Sequence, residues 1–323
     1  MRYRILNAES LNFSEKAKSI LASVADVDYY ENLDANKIKR IISRYDGLMV
    51  RLKTYIGPEI IDRANRMLFI ASSTTGLDHI DVEFAKRRSI EVISLFGEKE
   101  FLEKVFATAE YTMALMLTVV RNIPYSFDDV KKYRWNRNKF IGSELNGKTL
   151  GIVGYGRIGK MVGKYAHAFG MEVMAHDSKK TIREKNIRQV SLDTLLKSAD
   201  IISIHLPLND ETRGIFNKSK FRKMKKGIYL INTSRAPIIN ESALLWALKQ
   251  GFVKGAAVDV IEGERDIKIG RIPLIEYAKS NDNLVITPHL GGATFESMKK
   301  TEIFIARNIV SFLKFQNAIR GKR

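Results

Sequence analysis

Near the middle of the chain, Gly154-Tyr155-Gly156-Arg157-Ile158-Gly159 sets three glycines in a G-x-G-x-x-G spacing directly after the apolar run Leu150-Gly151-Ile152-Val153. Gly154 permits a tight turn, Gly156 a close backbone approach to a phosphate, and Gly159 close packing of helix on strand. The helix expected to follow, through Phe169, starts with amides that have no partner inside it and can bind a pyrophosphate. Asp177 closes the next apolar run, 18 positions after Gly159, where a carboxylate can accept from ribose hydroxyls. The spacing predicts a dinucleotide site. The carboxylate at 177 opposes a 2′-phosphate and favours NAD over NADP, while Lys179 and Lys180 stand close enough to offset part of that repulsion.

The other chemistry-bearing residues follow apolar runs in the second half of the chain. Asn232-Thr233-Ser234-Arg235 follows one, Asp259 to Glu264 another, and Thr287-Pro288-His289 the last. In a doubly wound sheet the carboxyl ends of the strands face the ligand crevice, so residues far apart in sequence can converge there. An Arg can clamp a substrate carboxylate through two parallel hydrogen bonds. A His can exchange a hydroxyl proton while a carboxylate beside it fixes its orientation. Arg235, Glu264 and His289 together point to hydride transfer coupled to proton transfer.

Six strands in alternation with helices must position these residues: Leu150–Val153, Glu172–Ala175, Ile201–His205, Ile228–Asn232, Ala256–Val260 and Leu284–Thr287. A shorter alternating series precedes them, with strands at Tyr3–Leu6, Gly47–Arg51 and Met67–Ala71, a helix over about 14–25, and a polar turn at Ser72–Gly76. Alternation of this kind implies parallel sheets with right-handed crossovers. Ala107–Val120 is apolar on nearly all sides and reads either as a connector between domains or as a core helix. The polar, aromatic-containing segment 125–146 after it reads either as a dimer arm or as a surface loop. A final helix is expected over Ser297–Phe315.

The 323 residues suffice for two domains, each with its own core. With no cysteine, disulfides, thiolate nucleophiles and thiolate metal sites are excluded, and no metal site is assigned. No run reaches the roughly 18 uncharged apolar residues of a membrane span, and the opening residues have no apolar stretch of signal-peptide length. A cytoplasmic protein is expected. The net charge of +18 is read as a Lys-rich solvated surface that helps steer anionic ligands, with dense runs at Lys131–Lys139 and Lys218–Lys226 outside any nucleic-acid-binding motif.

The ordered blocks Val50-Arg51, Thr75-Gly76-Leu77-Asp78-His79-Ile80-Asp81, Ala109-Glu110, the glycine motif with Asp177, His205-Leu206-Pro207-Leu208, Asn232-Thr233-Ser234-Arg235, Asp259-Val260 with Glu264, and Thr287-Pro288-His289-Leu290-Gly291-Gly292 resemble the D-isomer-specific 2-hydroxyacid dehydrogenase family over almost the full chain. The resemblance implies two doubly wound α/β domains, one flavodoxin-like and one Rossmann. A split substrate domain would comprise 1–103 with 291–323, and an NAD-binding domain 104–290, with a homodimer formed through the NAD domains. It implies Arg235 for substrate binding and activation, His289 as acid/base, and Glu264 as its partner. Asp259 would bind the nicotinamide carboxamide. Arg157, Ile158, Leu206, Pro207, Thr233, Ser234 and Gly292 would contact NAD, and Arg51, Thr75 and Gly76 the substrate. The substrate would be a small 2-hydroxy or 2-oxo carboxylate.

The chain departs from the family's usual pattern in five places. Ala236 replaces Gly after the Arg, Arg265 replaces Pro after the Glu, and the Glu264-to-His289 segment is longer than usual. The loop before Ala109 lacks Asn, and Ser72 stands where some phosphoglycerate-oxidising members have Arg. Three other readings stay open: a non-enzymatic NAD-sensing corepressor on the same fold, a nucleic-acid-binding protein, and a formate- or phosphite-type dehydrogenase.

Overall fold

The computed structural model describes residues 2–267 and 270–320, which divide into two compact units: one formed by the chain up to Val105 together with the segment from Thr294, the other by Phe106–Ala293. The sequence placed these boundaries at 103/104 and 290/291.

The first unit has strands β1 (Tyr3–Asn7), β2 (Ala25–Tyr29), β3 (Gly47–Val50), β4 (Phe69–Ser72) and β5 (Glu91–Ile93). Its helices are α1 (Glu15–Leu21), α2 (Ala35–Ile41), α3 (Pro58–Ile61), α4 (Val82–Arg87), α5 (Lys99–Leu102) and the terminal helix Phe295–Arg320. The sheet is parallel in the order β2-β1-β3-β4-β5, so the winding reverses between β1 and β3. Successive residues on the central strands feed opposite cores. Leu6, Leu48 and Ile70 pack with Ile38, Ile42 and Ile60, whereas Ile5, Met49 and Phe69 pack with Leu21, Ile305, Ile309 and Leu313. The terminal helix therefore closes one face of a sheet made by the first hundred residues. It is longer at both ends than the sequence predicted.

Three expectations for this unit need correction. The helix expected over 14–25 starts where Ser14 accepts from the Ala17 amide and ends at Leu21, and β2 occupies 25–29. Strands β2 and β5 and helix α2 were not foreseen, and the strand expected over 67–71 runs from Phe69 to Ser72. β2 and β5 are the two edges of the sheet, where strands are short, carry charges and bury one face at most, so their hydrophobic signal is weak.

The second unit begins with α6 (Ala107–Val120) and α7 (Ile123–Lys131). Its strands are β6 (Thr149–Val153), β7 (Glu172–His176), β8 (Arg188–Gln189), β9 (Ile201–Ile204), β10 (Ile228–Asn232), β11 (Val253–Val258) and β12 (Leu284–Ile286). Between them lie α8 (Arg157–Ala168), α9 (Leu192–Ser198), α10 (Lys218–Lys223), α11 (Glu241–Lys249) and α12 (Pro273–Ala278). The strands are parallel in the order β12-β11-β10-β9-β6-β7-β8, with the winding reversed between β6 and β9. Of the seven, the two-residue edge strand β8 was not expected. α6 is a core helix of this unit. It packs on α8, β10 and β11, so tightly that a Cβ on Gly255 would come within 2.9 Å of Val119. The segment after it exposes Phe127, Tyr133, Trp135 and Ile141. No helix among the described residues is long and apolar enough to cross a membrane.

Candidate active site and cofactor cradle

β6 delivers Gly154 at φ +94, a conformation that strains any residue with a side chain. Its amide donates to the His176 carbonyl at 2.8 Å, and an added Cβ would lie 2.6 Å from the His205 carbonyl oxygen. A Cβ on Gly159 would collide with the Gly154 carbonyl, whereas around Gly156, which caps α8 without a side-chain bond, the space is open. The first turn of α8 thus presents amides over a surface that a backbone-hugging anion can reach, which fits a pyrophosphate. Arg157 and Ile158 are half-buried in that turn, and burial pulls the Arg157 pKa below the ordinary Arg value.

Asp177 follows β7. One carboxylate oxygen accepts from the Tyr155 amide (3.0 Å) and the other from the Lys179 amide (2.9 Å), which fixes the group beside the glycine turn. The Lys179 ammonium lies 3.4 Å from Glu211, with both side chains well exposed. After β9, His205 is half-buried with Nε2 2.8 Å from Ser203 Oγ, and desolvation lowers its pKa to about 3, which keeps it neutral. Leu206 packs on the core, and the Pro207 carbonyl accepts from Thr212 Oγ1 at 2.7 Å. After β10, Thr233 Oγ1 meets Thr112 Oγ1 of α6 at 2.9 Å. Ser234 donates through N and Oγ to Asn232 Oδ1 (3.0 and 2.6 Å), and Arg235 Nη1 donates to the Ser234 carbonyl at 2.7 Å.

Glu264 and His289 are joined, Oε1 to Nδ1, at 2.8 Å, with both side chains about a quarter exposed. The bond at Nδ1 leaves Nε2 as the ring nitrogen available for proton exchange. Glu264 opens a short 3-10 turn after Gly263, itself at φ +76. Glu262 is exposed, and its amide donates to Glu241 at 2.6 Å instead. His289 sits at φ +58 in the left-handed region, where its amide donates to the carbonyls of Asp259 (2.9 Å) and Thr287 (3.0 Å).

Sequence reasoning did not foresee what holds that turn. The Asp259 carboxylate, 1% exposed, accepts from Thr287 Oγ1 (2.6 Å) and the amides of Leu290 (2.8 Å) and Gly291 (2.7 Å). Burial raises its pKa, and these three donors and His289 oppose the rise. β10 and β11 are neighbours, and the Asp259 amide donates to the Asn232 carbonyl at 2.9 Å. The loops carrying Arg235 and Asp259 therefore leave adjacent strand ends. Gly292 has open space around it near the end of the unit.

Arg51, Thr75 and Gly76 belong to the first unit. Arg51 follows β3. Its guanidinium pairs with Glu302 of the terminal helix and donates to the Leu11 carbonyl (3.0 Å). Thr75 is exposed, and the Gly76 carbonyl accepts from Thr74 Oγ1 at 2.8 Å. Ser72 Oγ lies 2.8 Å from Thr74 Oγ1 and 3.1 Å from His79 Nε2.

Residues 113–291 match the family described as D-isomer specific 2-hydroxyacid dehydrogenase, NAD binding domain. The chain belongs to the D-isomer specific 2-hydroxyacid dehydrogenase family. Its cofactor is NAD(H), and the matched segment is almost the whole second unit. The chain is 36% identical over 309 residues to hydroxypyruvate reductase of Thermotoga maritima, covering 95% of this chain and 97% of that one. It is also 36% identical over 292 residues to D-3-phosphoglycerate dehydrogenase of Archaeoglobus fulgidus, covering 90% of this chain but only 53% of that one. The chain thus spans about half the length of that relative. Among solved structures, D-lactate dehydrogenase of Aquifex aeolicus, complexed with NAD and lactic acid, superposes with a TM-score of 0.83 at 28% identity, with 98% of both chains covered. A Thermus thermophilus protein superposes at 0.84 with 32% identity, over 96% of this chain and 97% of that one.

Proposed function

We propose that this member of the family is an NAD-dependent enzyme that interconverts a small D-2-hydroxy acid and its 2-oxo acid. The observation that carries the reading is the 2.8 Å Glu264–His289 bond, on a turn held by a buried carboxylate. In this reading the first turn of α8 and Asp177 hold the cofactor, whose nicotinamide supplies or accepts the hydride. Arg235 binds the substrate carboxylate as a fork. In the reductive direction His289 Nε2 gives its proton to the carbonyl oxygen, and in the oxidative direction it takes the hydroxyl proton. Glu264 holds the ring by Nδ1 and stabilises its protonated form. A homodimer through the exposed aromatic segment after α6, in a cytoplasmic setting, belongs to the same reading.

The test is a panel of 2-oxo acids (glyoxylate, hydroxypyruvate, pyruvate, 2-oxoisocaproate) assayed with NADH and with NADPH. Turnover of at least one is expected, with NADH favoured in kcat/KM by on the order of tenfold or more because of the carboxylate at 177. No turnover with any of them would remove the enzymatic reading. Equal use of NADPH would remove Asp177 as the discriminating group.

A further inference from the structure

Thr112 is fully buried in the middle of α6. Its Oγ1 lies 2.7 Å from the Thr108 carbonyl, one turn back, and 2.9 Å from Thr233 Oγ1 at the end of β10. A hydroxyl has one proton, and a carbonyl can only accept. The Thr112 proton is therefore given to Thr108, and the other bond must run from the Thr233 hydroxyl to Thr112. Ser234 repeats the pattern. Its Oγ gives its proton to Asn232 Oδ1 (2.6 Å), and that amide is oriented by its own Nδ2, which donates to the Arg235 carbonyl at 3.2 Å. Both hydroxyl protons of the β10 loop are thus spent inside the protein, and Thr233 and Ser234 have only lone pairs left for a ligand. Each residue is 9% exposed, so a ligand atom would meet these oxygens largely out of water, where a wrong pairing is costly.

The sheet order locates that loop relative to the cofactor. Asp177 follows β7, on one side of β6 and its glycine turn, whereas β9 and β10 lie on the other. A dinucleotide with its pyrophosphate on the first turn of α8 and its adenosine ribose at Asp177 extends its nicotinamide half toward β9 and β10. The donors of that half are its ribose hydroxyls and its carboxamide NH2. Resting on the cofactor placement proposed above, we infer that Thr112 is a positioning residue for the cofactor. By taking the Thr233 proton it makes Thr233 Oγ1 an obligate acceptor for a hydroxyl or amide donor of the nicotinamide half. Thr112 acts through Thr233 and needs no contact with the cofactor itself.

The experiment measures binding of NADH and of ADP to the full chain by titration calorimetry, with no oxo acid present. ADP carries the adenosine and diphosphate alone. Thr112→Val keeps the shape of the side chain but removes the acceptor, so the Thr233 proton is released. NADH should then bind about fivefold more weakly, the contribution of one neutral hydrogen bond, while ADP binds within about twofold of wild type. Thr112→Ser keeps the hydroxyl and should restore NADH binding. In Thr233→Val the acceptor itself is gone, and adding Thr112→Val to it should weaken NADH no further. Equal weakening of NADH and ADP, additive losses in the double variant, or unchanged NADH binding in Thr112→Val would each overturn the inference. If Thr112→Val does not fold, Thr112→Ala, which demands no space, should show the same split between NADH and ADP. Wild-type protein that binds NADH but turns over no 2-oxo acid would remove the proposed function, and the binding ratios would still decide the role of Thr112.

Discussion

His289 combines two properties seldom met in one residue: a left-handed backbone and a side chain proposed to move a proton. Positive φ costs a non-glycine residue roughly 1–2 kcal/mol, and His is among the types that tolerate it best. Here the turn is fastened by the Asp259 carboxylate, which binds the two amides after His289 and the hydroxyl of Thr287. Two variants separate the turn from the ring. His289→Asn tolerates the same backbone but has no imidazole. Turnover should fall by about 10²–10⁴-fold, measured as kcat, while NADH binding by fluorescence stays close to wild type. Asp259→Asn keeps the ring but sets an amide NH2 against one of the two backbone donors, because Leu290 and Gly291 bind different carboxylate oxygens. A loss of about 10²-fold in kcat is expected, since a misplacement of about 1 Å costs that much, and unchanged kcat would show that the clamp is dispensable. The three candidate residues could be read from sequence because Arg235, Glu264 and His289 each follow a strand. The clamp could not, because Asp259 meets its donors only once the chain has turned through a left-handed residue 30 positions later.

At the scale of elements, what was legible tracks burial. β6, β9 and β10 lie inside the sheet and read as mainly apolar runs; the edges β2, β5 and β8 did not, and the edge β12 did because its Leu284 and Val285 are buried. Ends of elements are set by side chains that contact neighbours distant in sequence, and Asp200 shows how. It precedes β9, accepts from the Thr149 amide at the start of β6 (3.0 Å), and pairs with Lys225 after α10 (2.6 Å). Partial burial works to raise its pKa, but the Lys225 and Thr149 hydrogen bonds outweigh it and the net shift is downward. A carboxylate lowered in the folded state contributes stability that is present above its unfolded pKa of about 4 and lost as pH falls through the folded value. Asp200→Asn should therefore lower stability at neutral pH by about 1 kcal/mol, after allowance for solvent screening. That corresponds to a Tm drop of about 2–4 °C. The difference should close on acidification below about pH 3, and a gap independent of pH would show that the charge contributes nothing.

For the whole molecule, the net charge of +18 is balanced locally more than its total suggests. In the run Lys218–Lys226, Lys220 and Lys223 pair with Asp193 and Lys225 with Asp200, while Lys218 and Arg222 lie over the ring of Trp246 at 4.7 and 5.5 Å. In the other run, Lys139 pairs with Asp129 and Lys131 with Asp128. The division into units gives a sharper prediction. Residues 106–293 contain both of their own cores, so that fragment should melt cooperatively by itself in circular dichroism. Residues 2–105 lack Ile305, Ile309 and Leu313, each fully buried on the sheet in the intact chain. Loss of one such residue costs roughly 2–5 kcal/mol, and loss of all three exceeds the stability of most small domains. The shorter fragment should show no cooperative transition until a peptide spanning 294–320 is added.

The terminal helix gives synthesis on the ribosome an unusual order. Domains generally fold as they emerge, the N-terminal one first. Here the strands of the first unit remain without one face until the helix over 295–320 leaves the exit tunnel, while the intervening, contiguous unit has all its parts by residue 293. A chain cut short by a few dozen residues would carry a finished nucleotide-binding half beside an open sheet with Ile5, Met49 and Phe69 uncovered, the kind of surface that chaperones and proteases recognise.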